Sequence, residues 1–125
     1  MLGYLIDVQN DEHRVVEIAD KDHLGQFYDL IGCECIDIAT RKIGGKYFDV
    51  IVDDEGLLVT NPICSAYDSK CRPMLAGNLV ILGEANEEGN ETSLSVHDVQ
   101  LVKEAIRYTI DLYRGAMHPV VIMDY

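Results

Sequence analysis

The chain has 125 residues, 48% of them apolar and 26% charged, so it is long enough to bury a core as one domain. Its ten Lys and Arg against 22 Asp and Glu give a net charge of −12, which argues against direct binding to nucleic acid or to an anionic membrane. The apolar runs are too short to cross a bilayer and no basic leader segment opens the chain, so we expect a cytoplasmic protein of a bacterial host.

The first part of the chain predicts a β-hairpin followed by a short helix. Residues 4–18 contain two strand-like apolar runs separated by a polar turn. Asp20 or Asp22 is then a suitable N-cap for a helix near 22–31, and Gly32 is a suitable residue to end it.

The middle of the chain predicts the centre of an antiparallel sheet. The expected strands are residues 33–40, 47–52, 57–59 and 78–84. The run 47–52 is rich in aromatic and β-branched residues, which is typical of a central strand. Acids and a glycine at 53–56 predict a turn, so that 57–59 would return beside 47–52. Residues 61–74, with two prolines, are expected to form a loop.

The end of the chain predicts a long helix. Ser95 and Asp98 have the spacing of a capping box, which places a helix near 96–114 with Gly115 after it. Residues 120–123 would then form a last strand, at an edge open to pairing. The expected fold is therefore α+β, a single domain with a mainly antiparallel sheet, a short helix near 22–31 and a long C-terminal helix near 96–114.

The predicted long helix is apolar around most of its circumference, more than an ordinary surface helix needs. The excess would either contact a second copy or be covered by the C-terminal tail, and the sequence leaves both open. The residues expected in an oligomer interface are Ile106, Ile110, Tyr113, Val121 and Ile122.

The sequence contains no recognisable catalytic constellation. There is no glycine-rich phosphate loop, and the histidines are isolated from one another. We therefore expect no enzyme activity and no cofactor. The four cysteines, Cys33, Cys35, Cys64 and Cys71, lack the spacing of a zinc site and are expected to be free thiols, with a metal or redox module as the alternative.

The acidic residues are concentrated in two segments without Lys or Arg. Residues 47–69 and 73–102 each hold five acids and would form an anionic face if they folded onto one side. The residues expected to contact a partner are Asp53, Asp54, Glu55, Glu87, Glu88 and Glu91. The simpler alternatives are that 53–56 is only a turn and that the acidity only keeps the protein soluble.

Several short motifs follow one another in a recognisable order. They are Leu30-Ile31-Gly32 entering a strand, VDDEGLL at 52–58 before Asn61-Pro62, AGNLVILG at 76–83, and TSLS at 92–95 opening the last helix. Over roughly residues 4–105 the chain thereby resembles the "domain of unknown function 3846" family, common in bacteriophages, conjugative elements and Firmicutes genomes. The resemblance implies a compact α+β domain of mobile-element origin, without catalytic residues. The chain departs from the family pattern at residues 63–72 and after about residue 105.

These observations lead to one hypothesis and two alternatives. The hypothesis is a non-enzymatic acidic binding protein from a phage or mobile element, which inhibits a host nucleic-acid-binding defence protein by occupying its basic site, as anti-CRISPR and anti-restriction proteins do. Opposite charge would steer such an association. The alternatives are a structural or regulatory homodimer and a cysteine-based metal or redox module.

Overall fold

The structure, a computed structural model, describes residues 1–125 as nine strands and two helices. In chain order these are β1 (Leu2–Asp7), β2 (Glu12–Glu17), α1 (His23–Ile31), β3 (Ile36–Ile43), β4 (Lys46–Asp53), β5 (Cys64–Tyr67), β6 (Pro73–Ala76), β7 (Leu79–Gly83), α2 (Val96–Glu104), β8 (Ile106–Asp111) and β9 (Ala116–Ile122). Strands hold 45% of the residues and helices 14%, so the fold is mainly β and the α+β prediction is wrong.

The strands form two sheets. Sheet A has five antiparallel strands in the order β2-β1-β7-β4-β3. Sheet B has four strands in the order β6-β5-β9-β8, and its β5 and β9 run parallel. The apolar run in β4 therefore lies inside sheet A, between β7 and β3, as its composition predicts.

Sheet A is covered on both faces. Successive side chains of a strand point to opposite sides, so the side chains of β4 contribute to two different cores. Phe48 and Val50 of β4 belong to a core that also contains Val102 of α2 and Val121 of β9. Ile51 belongs to a second core, which α1 covers with Phe27 and Ile31. Helix α1 thus covers one face of sheet A, and sheet B with α2 covers the other.

Both helices begin with the predicted caps. The Asp22 side chain accepts a hydrogen bond from the Gly25 amide at 3.2 Å, and Gly32, at φ 78°, ends α1, which confirms the short helix. In α2 the Ser95 and Asp98 side chains each accept a hydrogen bond from the other's backbone amide, which confirms the capping box. Neither helix has the length and apolar character needed to span a membrane.

The long helix predicted at 96–114 is wrong, because α2 ends at Glu104 and the chain turns into strand β8. Residues 106–111 pair with residues 116–121 in antiparallel register, from Ile106 opposite Val121 to Asp111 opposite Ala116. This pairing supplies hydrogen-bond partners along the strand and places alternate apolar side chains on one face. The predicted edge position of the last strand is also wrong, since β9 lies between β5 and β8.

Two predictions for the middle of the chain are also wrong. Residues 57–59 form turns instead of a return strand, and β4 pairs with β7 and β3. The expected loop at 61–74 contains strand β5 and the start of β6, which pair with each other. Pairing of β5 with β9 builds sheet B from residues far apart in the sequence.

Candidate binding site at one end of sheet A

A cleft of about 680 Å³ opens at the end of sheet A where β1 and β4 finish and β7 begins. Its walls are the last turn of α1, the β1–β2 turn and the loop that follows β4. Its polar lining consists of Asp7, Gln9, Asn10, Arg14, Asp29, Asp53, Thr60, Asn61 and Asn78. No His, Cys or Ser lines the cleft, so it lacks the common nucleophile and base pairs.

One wall of the cleft is held by buried polar side chains. The buried Asp7 carboxylate accepts hydrogen bonds from the backbone amides of Gln9 at 3.1 Å and Asn10 at 3.0 Å. The buried Asn78 amide oxygen accepts the Val8 backbone amide at 2.9 Å. These bonds give partners to the backbone amides of residues 8–10, so the protein's own side chains hold the β1–β2 turn in this conformation.

The opposite wall offers free hydrogen-bond acceptors. Asp53 Oδ1 accepts the Glu55 amide at 2.9 Å, whereas Asp53 Oδ2 and the Asp29 carboxylate accept no hydrogen bond. The last turn of α1 adds the negative end of its helix dipole. Arg14 is the one cation in the lining and forms no salt bridge. The cleft therefore suits an ammonium or guanidinium group, whose donors would meet these carboxylates.

The rim of the cleft carries three consecutive exposed apolar side chains. Leu57, Leu58 and Val59 are 70%, 80% and 53% exposed, and Val59 also lines the cleft. Asp54 and Glu55 are exposed directly before them. We call Asp53, Asp54, Glu55, Leu57, Leu58 and Val59 the rim. An exposed apolar run beside acids is typical of a protein interaction site.

The predicted acidic contact residues fall into two groups at opposite ends of sheet A. Asp53, Asp54 and Glu55 follow β4, whereas Glu87, Glu88 and Glu91 follow β7. Since β4 and β7 are antiparallel, these segments leave the sheet at opposite ends, about 17 Å apart along the strand. The structure therefore does not bring the six carboxylates onto one face, and each group is a separate candidate.

The second group lies beside the start of α1. Glu91 Oε2 is 3.4 Å from His23 Nδ1, and Asp20 lies 3.8 Å from His23 Nε2. Glu87 and Glu88 are exposed, and no large apolar side chain is exposed between Gly83 and Leu94. The acidic loop at this end thus contains no exposed apolar run of its own, unlike the rim.

The cysteines form two separate pairs of free thiols. Burial, and then the Asp53 carboxylate, raise the pKa of Cys33. Cys64 and Cys71 flank Tyr67, whose pKa is raised by burial and then by Cys64. No group of three or more His, Cys, Asp or Glu side chains is arranged to hold a metal ion, so Cys33, Cys35, Cys64 and Cys71 do not assemble into a ligand set.

The residues predicted for an oligomer interface lie in the β8–β9 hairpin and not on a long helix, and they differ in exposure. Ile110 and Tyr113 are 52% and 73% exposed. Ile106 and Ile122 are half-buried, and Val121 lies in the core with no exposed surface. Of these five residues, only Ile110 and Tyr113 are therefore exposed enough to contact a second copy.

The comparison with known families gives a match over most of this architecture. The family model described as "Domain of unknown function (DUF3846)" matches residues 1–107. The chain belongs to this family. The DUF3846 match includes sheet A, the cleft and the rim, and it ends within β8. The family resemblance of the sequence motifs is therefore confirmed.

One curated relative of this DUF3846 protein is the uncharacterized protein y4iR of Sinorhizobium fredii (strain NBRC 101917 / NGR234). The two are 24% identical over 110 residues, which is 88% of this chain and 66% of the relative. The chain thus spans somewhat less than two thirds of the relative's length. No solved structure matches this chain.

Sequence reasoning missed most of the cleft. Asp7, Arg14, Asp29 and Asn78 come from four separate segments that only the sheet order and α1 bring together. Asp7, Arg14 and Asp29 stand in no motif, and Asn78 lies in the AGNLVILG motif, which indicated a strand and not a binding residue. For the rim, three adjacent apolar residues after a turn indicated a strand, and nothing nearby indicated that they would be exposed.

Proposed function

We propose that this DUF3846 protein is a non-enzymatic binding protein that presents the rim and cleft to a basic surface of another protein. In this proposal the protein derives from a phage or mobile element. Its target is a host nucleic-acid-binding defence protein, and it acts as an inhibitor of the anti-CRISPR or anti-restriction type. Asp53, Asp54 and Glu55 would occupy positions that phosphates otherwise take at the target's basic site.

The observation that carries the proposal is the exposure of Leu57, Leu58 and Val59 directly beside Asp53, Asp54 and Glu55. Burying one such leucine against a partner contributes about 1.5–3 kcal/mol to the free energy of binding, because the side chain is then removed from water. The adjacent acids select a partner whose apolar pocket is bordered by Lys or Arg.

The cleft adds a place for one basic side chain of that partner. Asp53 Oδ2 and the Asp29 carboxylate are free acceptors on its wall, and a guanidinium group could donate to such acceptors. The net charge of −12 would speed the encounter with a basic protein and make it sensitive to salt.

The test begins with the tagged protein as bait in a bacterial lysate, followed by purification of each captured protein. Its dissociation constant is then measured for the wild type and for the double variant Leu57→Ser/Leu58→Ser. A matched control is Val96→Ser, since Val96 is 84% exposed at the start of α2, away from the rim. We expect the double variant to bind at least about tenfold more weakly and the control to bind like the wild type.

A second measurement tests the inhibitory part. If the partner binds nucleic acid, adding the wild-type protein should displace that nucleic acid, and the double variant should displace it poorly. Equal binding by the wild type and the double variant would contradict the role of the rim. A partner that holds nucleic acid and this protein together would contradict inhibition by occupation of the basic site.

A further inference from the structure

The hairpin of β8 and β9 carries an apolar face that leaves the core and continues into solvent. Ile106 and Val121 stand opposite each other at its base, where Val121 is buried and Ile106 packs against the core. Farther out on the same face, Tyr108, Ile110 and Met117 are each more than half exposed. The tip adds two more apolar side chains, Leu112 and Tyr113, which are 84% and 73% exposed.

This hairpin is held in place and is not a loose arm. At its tip the Arg114 guanidinium forms salt bridges with Asp111 at 2.6 Å and with Asp11 of the β1–β2 turn at 2.9 Å. At its middle the Tyr108 hydroxyl lies 2.9 Å from His13 Nε2 on β2. The exposed apolar face is thus presented in a fixed orientation, which lowers the entropic cost of covering it.

Charge favours a second copy as the occupant of this face. Residues 106–123 hold two Arg and one Asp, which leaves eight Lys and Arg against 21 Asp and Glu for the rest of the chain. The hairpin is therefore the part of this acidic protein where two copies can meet without strong mutual repulsion. Most of this face, from residue 108 on, also lies beyond the residues 1–107 that the family model matches.

Strand β8 is also the edge best suited to pair with another strand. The other edges are poorer: β2 carries several charges, and β6 has four residues and begins with a proline. On β3 the backbone of Lys42 is already bonded to that of Asp124, at 2.7 and 2.9 Å. On β8 the two charged side chains are Arg107 and Asp111, and Asp111 is neutralised by Arg114.

We propose that the protein self-associates through β8, which pairs antiparallel with β8 of a second copy across a two-fold axis. Sheet B then continues from one copy into the other, and Tyr108 and Ile110 of one copy contact the same residues of its partner. This interface contains none of the residues of the rim.

The test is sedimentation equilibrium of the purified chain over a wide range of concentration, for the wild type and two variants. Ile110→Lys places a charge in the proposed interface. Ile38→Lys is the matched control, because Ile38 is 51% exposed on the edge strand β3, almost as Ile110 is on β8. We expect a wild-type dimer of twice 14.0 kDa, the same dimer for Ile38→Lys, and at least about tenfold weaker association for Ile110→Lys.

Amide hydrogen exchange supplies a second measurement on the same samples. In the wild type the outward amides of β8 should become protected as concentration rises, and circular dichroism checks that Ile110→Lys stays folded.

A wild-type monomer at every concentration would overturn the proposal. A dimer that both variants form equally, or that both lose equally, would overturn this interface. Salt distinguishes this self-association from partner binding. Screening weakens a contact between opposite charges, whereas it does not weaken the apolar contact between two β8 strands.

Discussion

Lys46 and Asp98 form a salt bridge of 2.6 Å that joins the start of β4 to the first turn of α2. Asp98 is buried and also completes the capping box with Ser95. Helix α2 is therefore fixed to sheet A by the same carboxylate that caps it.

Replacing Asp98 should cost more than replacing Lys46. Asp98→Ala removes the salt bridge and one of the two capping-box hydrogen bonds, the one from the Ser95 amide, so we expect the unfolding free energy to fall by about 1–2 kcal/mol. Lys46→Met removes only the pairing of a half-exposed ammonium group, with an expected loss below about 1 kcal/mol. Urea denaturation measures both. Equal losses for the two variants would show that the hydrogen bond from the Ser95 amide to Asp98 contributes nothing here.

Acid should weaken the structure through buried carboxylates whose pKa values are lowered. The pKa of Asp111 lies below its ordinary value, chiefly because the Arg114 guanidinium donates to it, and the Arg72 backbone amide has the largest such effect on Asp68. For Asp98, burial raises the pKa, but the bonds from Lys46 and Ser95 outweigh it and the pKa is lowered. A carboxyl group whose pKa is lower in the folded protein stabilises the fold at pH values above its unfolded-state pKa of about 3.9. This stabilisation is lost as the pH falls through the folded-state pKa.

The variant Asp111→Asn isolates this effect from the general repulsion among acids, which also changes with pH. The difference in unfolding free energy between the wild type and Asp111→Asn should be constant near neutral pH. It should shrink as the pH falls below about 4, because the unfolded chain then binds a proton at Asp111 while the carboxylate of the folded protein, whose pKa is lowered, is still ionised. Denaturation series at several pH values measure it, and a difference that stays constant to low pH would contradict the role of Arg114.

Local signals predicted the sheet A strands and both helix starts, and long-range pairing decided the rest. The caps at Asp22 and at Ser95 were recognised because each depends on side chains a few residues apart. Residues 106–112 alternate apolar and polar, which is a strand pattern, but the capping box before them and Gly115 after them favoured one long helix. Only the pairing partner, β9, distinguishes the two interpretations.

The conformation of the rim depends on a buried glycine. A Cβ added at Gly56 would collide with the backbone carbonyl oxygen of Ala76. We expect Gly56→Ala to displace the loop and lower the unfolding free energy by about 1–3 kcal/mol, whereas Leu58→Ala, at an exposed site, should change it by less than about 0.5 kcal/mol. Thermal denaturation compares them, and identical melting temperatures would contradict the close packing at Gly56.

Thiol labelling should distinguish the cysteines. The raised pKa of Cys33 lowers its thiolate fraction at neutral pH, whereas Cys35 and Cys71 are exposed. Iodoacetamide should therefore modify Cys35 and Cys71 before Cys33, as followed by mass spectrometry of peptides. In urea the difference between Cys33 and Cys35 should disappear. Faster labelling of Cys33 in the folded protein would be inconsistent with its burial.

The two groups of acids at opposite ends of sheet A provide the most direct test of the proposed binding function. The variants Asp53→Lys/Asp54→Lys/Glu55→Lys and Glu87→Lys/Glu88→Lys/Glu91→Lys change the net charge equally, and only the first alters the rim. The measurement is the dissociation constant of a captured partner for the wild type and each variant, at low and high salt. The proposal predicts at least about tenfold weaker binding and a smaller salt dependence for the first variant, and near wild-type binding for the second. Equal dissociation constants for all three proteins would contradict it.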